Sequence, residues 1–304
     1  MNKWYIRQLN IWVESEDSAI WCEARQVAEI LEKEGIAVCL TSGKEMYEDR
    51  IGKGGTQDLV QQSNAEKVFH FQETDGILWL TDSAEAARWM VDNRLPVIAW
   101  LHEGNRSDSF ANVRYAVECP GELDADFFDR IFRRYAGIPW DILETDRCLV
   151  RETVVEDVDA FVRIYQDPEV TRYTEPFCKE PEAEREYVKE YIEKVYDFYG
   201  YGVWTVLRKE SGEVIGRVGF EQADLPFLGY MIAPDWQGKG IAYEVCRAVL
   251  KFAREELGME TVRVQIDQRN LASVRLAEKL GFVKEKAPLE EDINVYVREC
   301  INGF

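Results

Sequence analysis

From Leu228 to Leu257 the chain passes out of an apolar strand and into a helix through a turn of small residues. Pro234 and Asp235 break the strand Leu228 to Ala233, and Gln237-Gly238-Lys239-Gly240-Ile241-Ala242 leads directly into the helix. Apolar residues then recur at Ile241, Val245, Ala248, Val249 and Phe252, the spacing of a helix face packed on a sheet. The helix is expected to run to about Leu257, with Gly258 ending it. Two glycines and a small Ala242 let a polyanion approach the backbone. Amides of the first helical turn lack intrahelical acceptors, and the helix dipole adds about half a positive charge. The turn therefore reads as a pyrophosphate cradle. It is neither the dinucleotide nor the nucleoside-triphosphate version: no G-x-G-x-x-G follows the first strand of this half, and no G-x-x-x-x-G-K-[ST] occurs.

A chain of 304 residues favours two domains over one. The stretch WDILETDRCLVRE moves from a polar helix end into an alternating segment, Cys148 to Glu152, followed by Glu156, Asp157 and Asp159. The boundary is expected near Ile142, giving domains 1–141 and 142–304. No internal repeat is visible. With 46% hydrophobic and 31% charged residues the composition is that of an ordinary globular protein. No 18 apolar residues run together, and Arg7, Gln8 and Asn10 interrupt the opening segment, so a cytoplasmic protein without a membrane partner is expected. A formal charge of −20 repels nucleic acid and anionic bilayers and suits amines or basic peptides as partners. Screening within about 8 Å lets local cations and amides override that field for an anionic coenzyme. Cys22, Cys39, Cys119, Cys148, Cys178, Cys246 and Cys300 form no C-x-x-C pair, and His70 and His102 are the only histidines. Free buried thiols and no metal site are expected.

The first half alternates candidate strands (Ile36 to Thr41, Gly76 to Thr81, Pro96 to His102) with candidate helices (Ala19 to Glu34, Ala84 to Asn93, Ala125 to Tyr135). This alternation predicts a Rossmann-like, three-layer α/β domain whose ligand crevice, if any, lies at the carboxyl ends of the strands. Those ends carry Thr41-Ser42-Gly43-Lys44, Thr81-Asp82-Ser83 and His102-Glu103-Gly104-Asn105-Arg106. Residues 80–100 resemble the tail of a haloacid-dehalogenase-like phosphatase, but the early D-x-D-x-T strand of that family has no counterpart. The domain is therefore expected to be non-catalytic and to bind a ligand or a partner. Asp82 and Ser83 read as helix caps, and His102 as a turn or packing residue.

The second half offers strands at Cys148 to Glu152, Val203 to Leu207, Val214 to Phe220, Leu228 to Ala233, Val262 to Asp267, Val283 to Lys286 and Ile293 to Glu299. Gln237, Gly240 and Ala242 match the Q/R-x-x-G-x-G/A signature, and at these residues the sequence resembles the GNAT acetyltransferase superfamily. Asn270 to Phe282 fits the family's N-x-x-S-x-x-L-x-x-K-L-G-F helix, and Leu228 to Pro234 resembles the bulged strand before the cradle. T-D-R-C-L-V-R-E resembles the opening strand of the branch that acetylates ribosomal-protein amino termini, and the resemblance spans Thr145 to Glu299. It implies a mixed-sheet acyl-CoA N-acyltransferase domain, α+β beside the α/β first half. The implied reaction moves acetyl from acetyl-CoA to a primary amine, small molecule or protein amino terminus, by direct attack and without a metal.

The same resemblance implies a bulge that splays Leu228 to Ala233 from Val262 to Asp267 and frees the amides of Met231 and Ile232. Gln237, Gly238, Lys239, Gly240, Ile241 and Ala242 would hold the pyrophosphate, and Asn270 would contact the pantetheine. Lys239, Arg269 and Arg275 are the cations expected near the phosphates. The attacking amine must be neutral: at pH 7 this costs a lysine side chain about 4.6 kcal/mol and an α-amine only about 1 kcal/mol. Glu221 and Asp267, at strand ends facing the split, are the candidate bases, with Glu221 preferred. For the leaving thiolate many members use a tyrosine where this chain has Ala277, and the ribosomal branch uses a serine at the place of Ser273, with Tyr230 or Tyr296 as further donors. The acceptor pocket is expected among the first two helices of the half, the Ala287 to Asp292 hairpin and the first domain. Tyr173, Phe177, Tyr187, Tyr191, Tyr196, Tyr199 and Tyr201 crowd that region, where packing competes with recognition. Glu182, Glu184, Glu186, Glu190 and Glu193 offer an acidic face. Two other readings stand beside this one: an acyl-CoA sensor without turnover, and a bifunctional chain with a hydrolase-like first domain. The oligomeric state and the acceptor are left open.

Overall fold

Polar residues at alternate positions hide an interior strand of the first unit. Gln8–Val13 (β1) buries Leu9, Ile11 and Val13 in one apolar cluster and Trp12 in another, so its two sides face different layers. A computed structural model describes residues 4–42, 76–173, 180–286 and 292–300. The chain divides into two units, Met1–Ile138 and Pro139–Phe304. In the first, β1 lies between Ala37–Ser42 (β2) and Ile77–Thr81 (β3). The sheet continues through Val97–Trp100 (β4) to Tyr115–Val117 (β5), with every pair parallel. Helices Ser18–Lys33 (α1), Ala84–Asp92 (α2) and Ala125–Ala136 (α3) cover it. Val27 and Leu31 of α1 and Phe128 and Phe132 of α3 pack on Leu9 and Ile11, whereas Ala86 and Met90 of α2 pack on Trp12 and Val97. Helices thus lie on both faces of a parallel sheet. Neither β1 nor β5 was expected from sequence: Gln8 and Asn10 break the apolar run that marks a strand buried on both sides, and β5 has only three residues.

At the carboxyl ends of β3 and β4, Asp82, Ser83, His102 and Asn105 are held by hydrogen bonds within the unit. The Asp82 carboxylate accepts from the amides of Glu14 (2.6 Å) and Ser15 (2.9 Å), so it bridges two strand ends and is not a helix cap. Ser83 is one: its hydroxyl accepts from the Ala86 amide at the start of α2. The His102 ring accepts from the Gly104 amide at Nδ1 and places Nε2 3.4 Å from Asp82 Oδ2. Asn105 is buried and donates to the carbonyls of Asp82 and Trp100. Gly43, Lys44 and His70 lie outside the described residues, as do Phe177, Cys178 and residues 287–291 of the expected hairpin.

The second unit begins with a strand that sequence reasoning took for a helix end. Asp141–Glu144 (β6) pairs antiparallel with Cys148–Arg151 (β7), which places the division at Pro139, earlier than the expected Ile142. Then come Val158–Tyr165 (α4), Pro168–Thr171 (α5) and Pro181–Tyr191 (α6), which continues through a π turn, Ile192–Tyr196. Val203–Arg208 (β8), Val214–Glu221 (β9) and Phe227–Ile232 (β10) precede Ile241–Glu255 (α7). Thr261–Asp267 (β11), Leu271–Lys279 (α8), Val283–Lys284 (β12) and Ile293–Glu299 (β13) close the unit. The sheet order is β12-β13-β11-β10-β9-β8-β7-β6, and among the described residues β10 and β11 are the parallel pair. Val245, Val249 and Ala253 of α7 pack with Trp204, Val218 and Phe220 on one face, while Phe161 of α4 lies 4.9 Å from the Arg217 guanidinium on the other.

Of the crowded tyrosines, Tyr191, Tyr196 and Tyr201 pack on the core. The π turn carries Tyr196 into the core at 1% exposure. There its hydroxyl donates to the Val203 carbonyl at 2.5 Å and accepts from the Thr153 amide, while Tyr191 Oη accepts from the Val203 amide. Burial pushes the Tyr191 phenol up to about 12. Tyr187, Phe198 and Tyr199 remain exposed. Of the thiols expected to be buried, Cys148, Cys246 and Cys300 are, whereas Cys22, Cys39 and Cys119 are exposed. No helix among the described residues is long and apolar enough to cross a membrane.

Candidate active site

Proline sets up the cradle by stopping β10. Ala233 still donates to Ile215 of β9, and Pro234–Trp236 then forms a single 3-10 turn. Gly238 (φ 69°) and Gly240 (φ 79°) both adopt the left-handed conformation that disfavours a Cβ, and Gly240 is the N-cap of α7 without any side-chain cap. The first helical bond is Glu244 N–H to the Gly240 carbonyl. Among the described residues no acceptor faces the amides from Gly238 to Tyr243 with hydrogen-bond geometry. A row of unsatisfied donors at the positive end of a 15-residue helix is a site for an anion.

The row opens onto a cleft of about 510 Å³. Its floor exists because β10 and β11 part company. They pair at Phe227 and Arg263, after which β10 follows β9 over its whole length and β11 follows β13 over its own. No bulge is involved: the β9–β10 register is unbroken from Phe227↔Glu221 to Ile232↔Gly216, which corrects the expectation of a bulged strand. Divergence of two strands, each twisting with a different partner, is sufficient.

Ladder alternation also separates the two expected amides. Since Ala233 donates to β9, so by the antiparallel alternation does Met231, two residues earlier. The backbone of Ile232 faces the other way, and its carbonyl indeed accepts from Gln237 Nε2 at 2.8 Å on the cleft side. Ile232 and Tyr230, rather than Met231, thus turn their amides toward the gap.

Met231, Ile232, Gln237, Gly238, Gly240, Ile241, Ala242, Asn270 and Ser273 all line the cleft. Lys239 belongs to the turn, but its ammonium stacks on Trp236, 4.5 Å from the ring centroid, and does not line the cleft. Gln237 is held by the Ile232 carbonyl, and Ile241 buries its side chain in the core, so each offers backbone to the site. Asn270 caps α8 by accepting from the Ser273 amide at 3.1 Å, leaving its amide nitrogen for the cleft. Tyr230 Oη donates to the Ser273 carbonyl at 3.4 Å, and burial pushes this phenol well above its ordinary value. Ala277 is buried among apolar side chains, and Tyr296, raised by burial, lies on β13 away from the cleft.

The two carboxylates differ sharply. Arg269 grips Asp267 through Nε at 2.9 Å, Nη2 at 2.5 Å and its backbone amide at 2.8 Å, which holds that carboxyl down at about 2. So weak a base is unsuited to deprotonate an amine, and the same pair removes Arg269 from the expected phosphate cations. Glu221 is exposed at the end of β9 and is not a cleft wall; its Oε1 lies 3.9 Å from where a Gly229 Cβ would stand, on the α4 side of the sheet. Sequence reasoning missed Glu169 and Arg172 on the wall opposite β10 and Arg147 beside the turn. A second hollow, of about 650 Å³, lies in the first unit between Trp4, Lys33 and Asp126. Three of its four acids are engaged elsewhere: Asp124 caps α3, Asp126 pairs with Arg130, and Asp129 accepts from the amides of Tyr5 and Ile6.

Residues 147–283 match the description of an acetyltransferase (GNAT) domain. The chain is 32% identical over 170 residues to the uncharacterized protein YkkB of Bacillus subtilis (strain 168), covering 53% of this chain and 96% of that one. It is 30% identical over 154 residues to the uncharacterized N-acetyltransferase YoaA of the same organism, covering 47% and 84%. Among solved structures, the acetyltransferase from Agrobacterium tumefaciens str. C58 aligns at a TM-score of 0.46 with 24% identity, over 52% of this chain and 93% of that one.

Proposed function

The chain belongs to the GNAT acetyltransferases, and from that premise we propose that it transfers the acetyl group of acetyl-CoA to a primary amine by direct attack. One observation carries this: the row of acceptor-less amides from Gly238 to Tyr243 stands at the open end of a parting strand pair. The coenzyme supplies an activated thioester and two linked phosphates. The amides of the turn hold those phosphates, Ile232 and Tyr230 offer backbone donors along the gap, and Asn270 offers its side-chain amide from the far wall. Glu221 takes the proton of the attacking amine, through a water, from the α4 side; Asp267 is held too acidic for the task. Ser273, a residue of the cleft wall whose carbonyl, not its hydroxyl, is the acceptor for Tyr230, donates to the departing thiolate. Because a thiolate leaves readily, that proton matters less than the cradle. An α-amine asks less of the base than a lysine side chain, which favours free amino termini and weakly basic amines as acceptors. The first unit is read as non-catalytic, its Asp82, His102 and Asn105 being engaged in hydrogen bonds that hold the strand ends.

The test is thiol release. Purified protein is given acetyl-CoA and a panel of amines that includes short peptides with free amino termini, and CoA is expected to appear in proportion to acetylated product. Thermal stabilisation by acetyl-CoA without any thiol release from the panel would favour a sensor. Release of phosphate from generic phosphoesters would instead give the first unit a hydrolytic role.

A further inference from the structure

An anion cradle made of amides contains its own opposition: the turn also carries carbonyl oxygens, and a carboxylate in the first helical turn repels the ligand. Here the two offenders are the Lys239 carbonyl and Glu244. An acid at this position favours the helix through its dipole, yet a bound polyphosphate would feel it as a like charge.

One side chain, from the turn between β6 and β7, reaches both. Arg147 Nη1 donates to the Lys239 carbonyl at 2.9 Å. Its Nε and Nη2 meet Glu244 Oε2 at 2.7 and 2.6 Å, and its backbone amide meets Oε1 at 3.0 Å. Nη2 lies 3.7 Å from where a Gly240 Cβ would stand. The Glu244 carboxyl is pushed up by burial, but the hydroxyl of Thr145 and the donors of Arg147 outweigh this and leave it below the usual range. It is therefore charged, and Arg147 is its counter-ion. We propose that Arg147 is a positioning residue for the coenzyme: it turns the Lys239 carbonyl outward and neutralises Glu244, so that the cradle presents donors alone to the phosphates. This rests on the assignment of the turn to acetyl-CoA.

Calorimetric dissociation constants and steady-state kinetics for acetyl-CoA would be measured on the wild type, Arg147→Gln, Glu244→Gln and the double variant. Arg147→Gln is expected to raise Kd and KM about 10-fold with kcat little changed, and Glu244→Gln to bind as well as wild type or better. The double variant should recover part of that loss, because removing the carboxylate removes the need for its counter-ion while the Lys239 carbonyl stays unheld. A single Arg147→Gln variant that binds like wild type, a double variant as weak as it, or a Glu244→Gln variant weaker than wild type would each overturn the proposal. A wild type that fails to bind acetyl-CoA would sink the underlying assignment instead.

Discussion

Glycine 240 carries the sharpest residue-scale consequence, because its φ of 79° is available to few side chains and its amide belongs to the unsatisfied row. Gly240→Val should lower acetyl-CoA affinity at least 30-fold, with a strain cost of about 1–3 kcal/mol, and titration calorimetry on the folded variant reads it. Survival of that affinity would remove the cradle. The carboxylates make a second prediction. Asp267 is depressed to about 2 by the Arg269 hydrogen bonds. Its pairing is thus at full strength above the unfolded value near 3.9 and is lost only as pH falls through about 2. Asp267→Asn should therefore shift the thermal midpoint by an amount that stays constant from pH 8 to pH 5 and vanishes toward pH 2, and it should leave the pH–rate profile unchanged. Glu221→Gln, by contrast, should flatten the acid limb of kcat/KM; an unaltered limb would exclude Glu221 as base. Legibility at this scale followed chemistry that is local. Gly238, Gly240 and Asn270 could be placed from their neighbours in the chain, whereas the grip of Arg269 on Asp267, though only two residues apart, depends on a rotamer that composition does not specify.

Between β10 and α8 the cleft is framed by elements that share few contacts. Tyr230 Oη and the Ser273 carbonyl join strand to helix, and Asn270 caps the helix on the same side. Asn270→Ala should cost about 1 kcal/mol of stability through the lost cap and also raise KM for acetyl-CoA, whereas Ser273→Ala should lower kcat about 10-fold with KM nearly constant. Equal kcat in Ser273→Ala and wild type would pass the proton to another donor. Strand and helix periodicity made most of these elements readable, α7 above all, whose buried Ile241, Val245 and Val249 follow the spacing seen in the sequence. The splay of β10 from β11 was readable only through a family resemblance, which supplied the wrong device. The gap comes from each strand's loyalty to its outer neighbour: β10 keeps its hairpin partner β9, while β11 pairs with β13 through residues far apart in the chain.

Taken whole, the molecule has separate apolar clusters in its two units, Val27, Leu31 and Phe128 in the first and Trp204, Phe220 and Val249 in the second. Two cores predict two unfolding transitions in calorimetry of the intact chain. Acetyl-CoA at about 100 times its Kd should raise only one of them, by about 2.7 kcal/mol or 5–10 °C. A single transition shifted as a unit would contradict thermal independence. The alternation of strands and helices, the glycine turn and its helix, and the acidic balance are properties of local pattern, and the amino-acid order alone was enough to establish them. The interior position of β1, the pairing of β6, the gap beneath the cradle and the seat of Arg147 against Lys239 and Glu244 belong to the tertiary structure. Each depends on which segments pair, whether across a short hairpin as for β6 or with partners tens of residues away, and that is decided by packing and register rather than by anything their immediate neighbours encode.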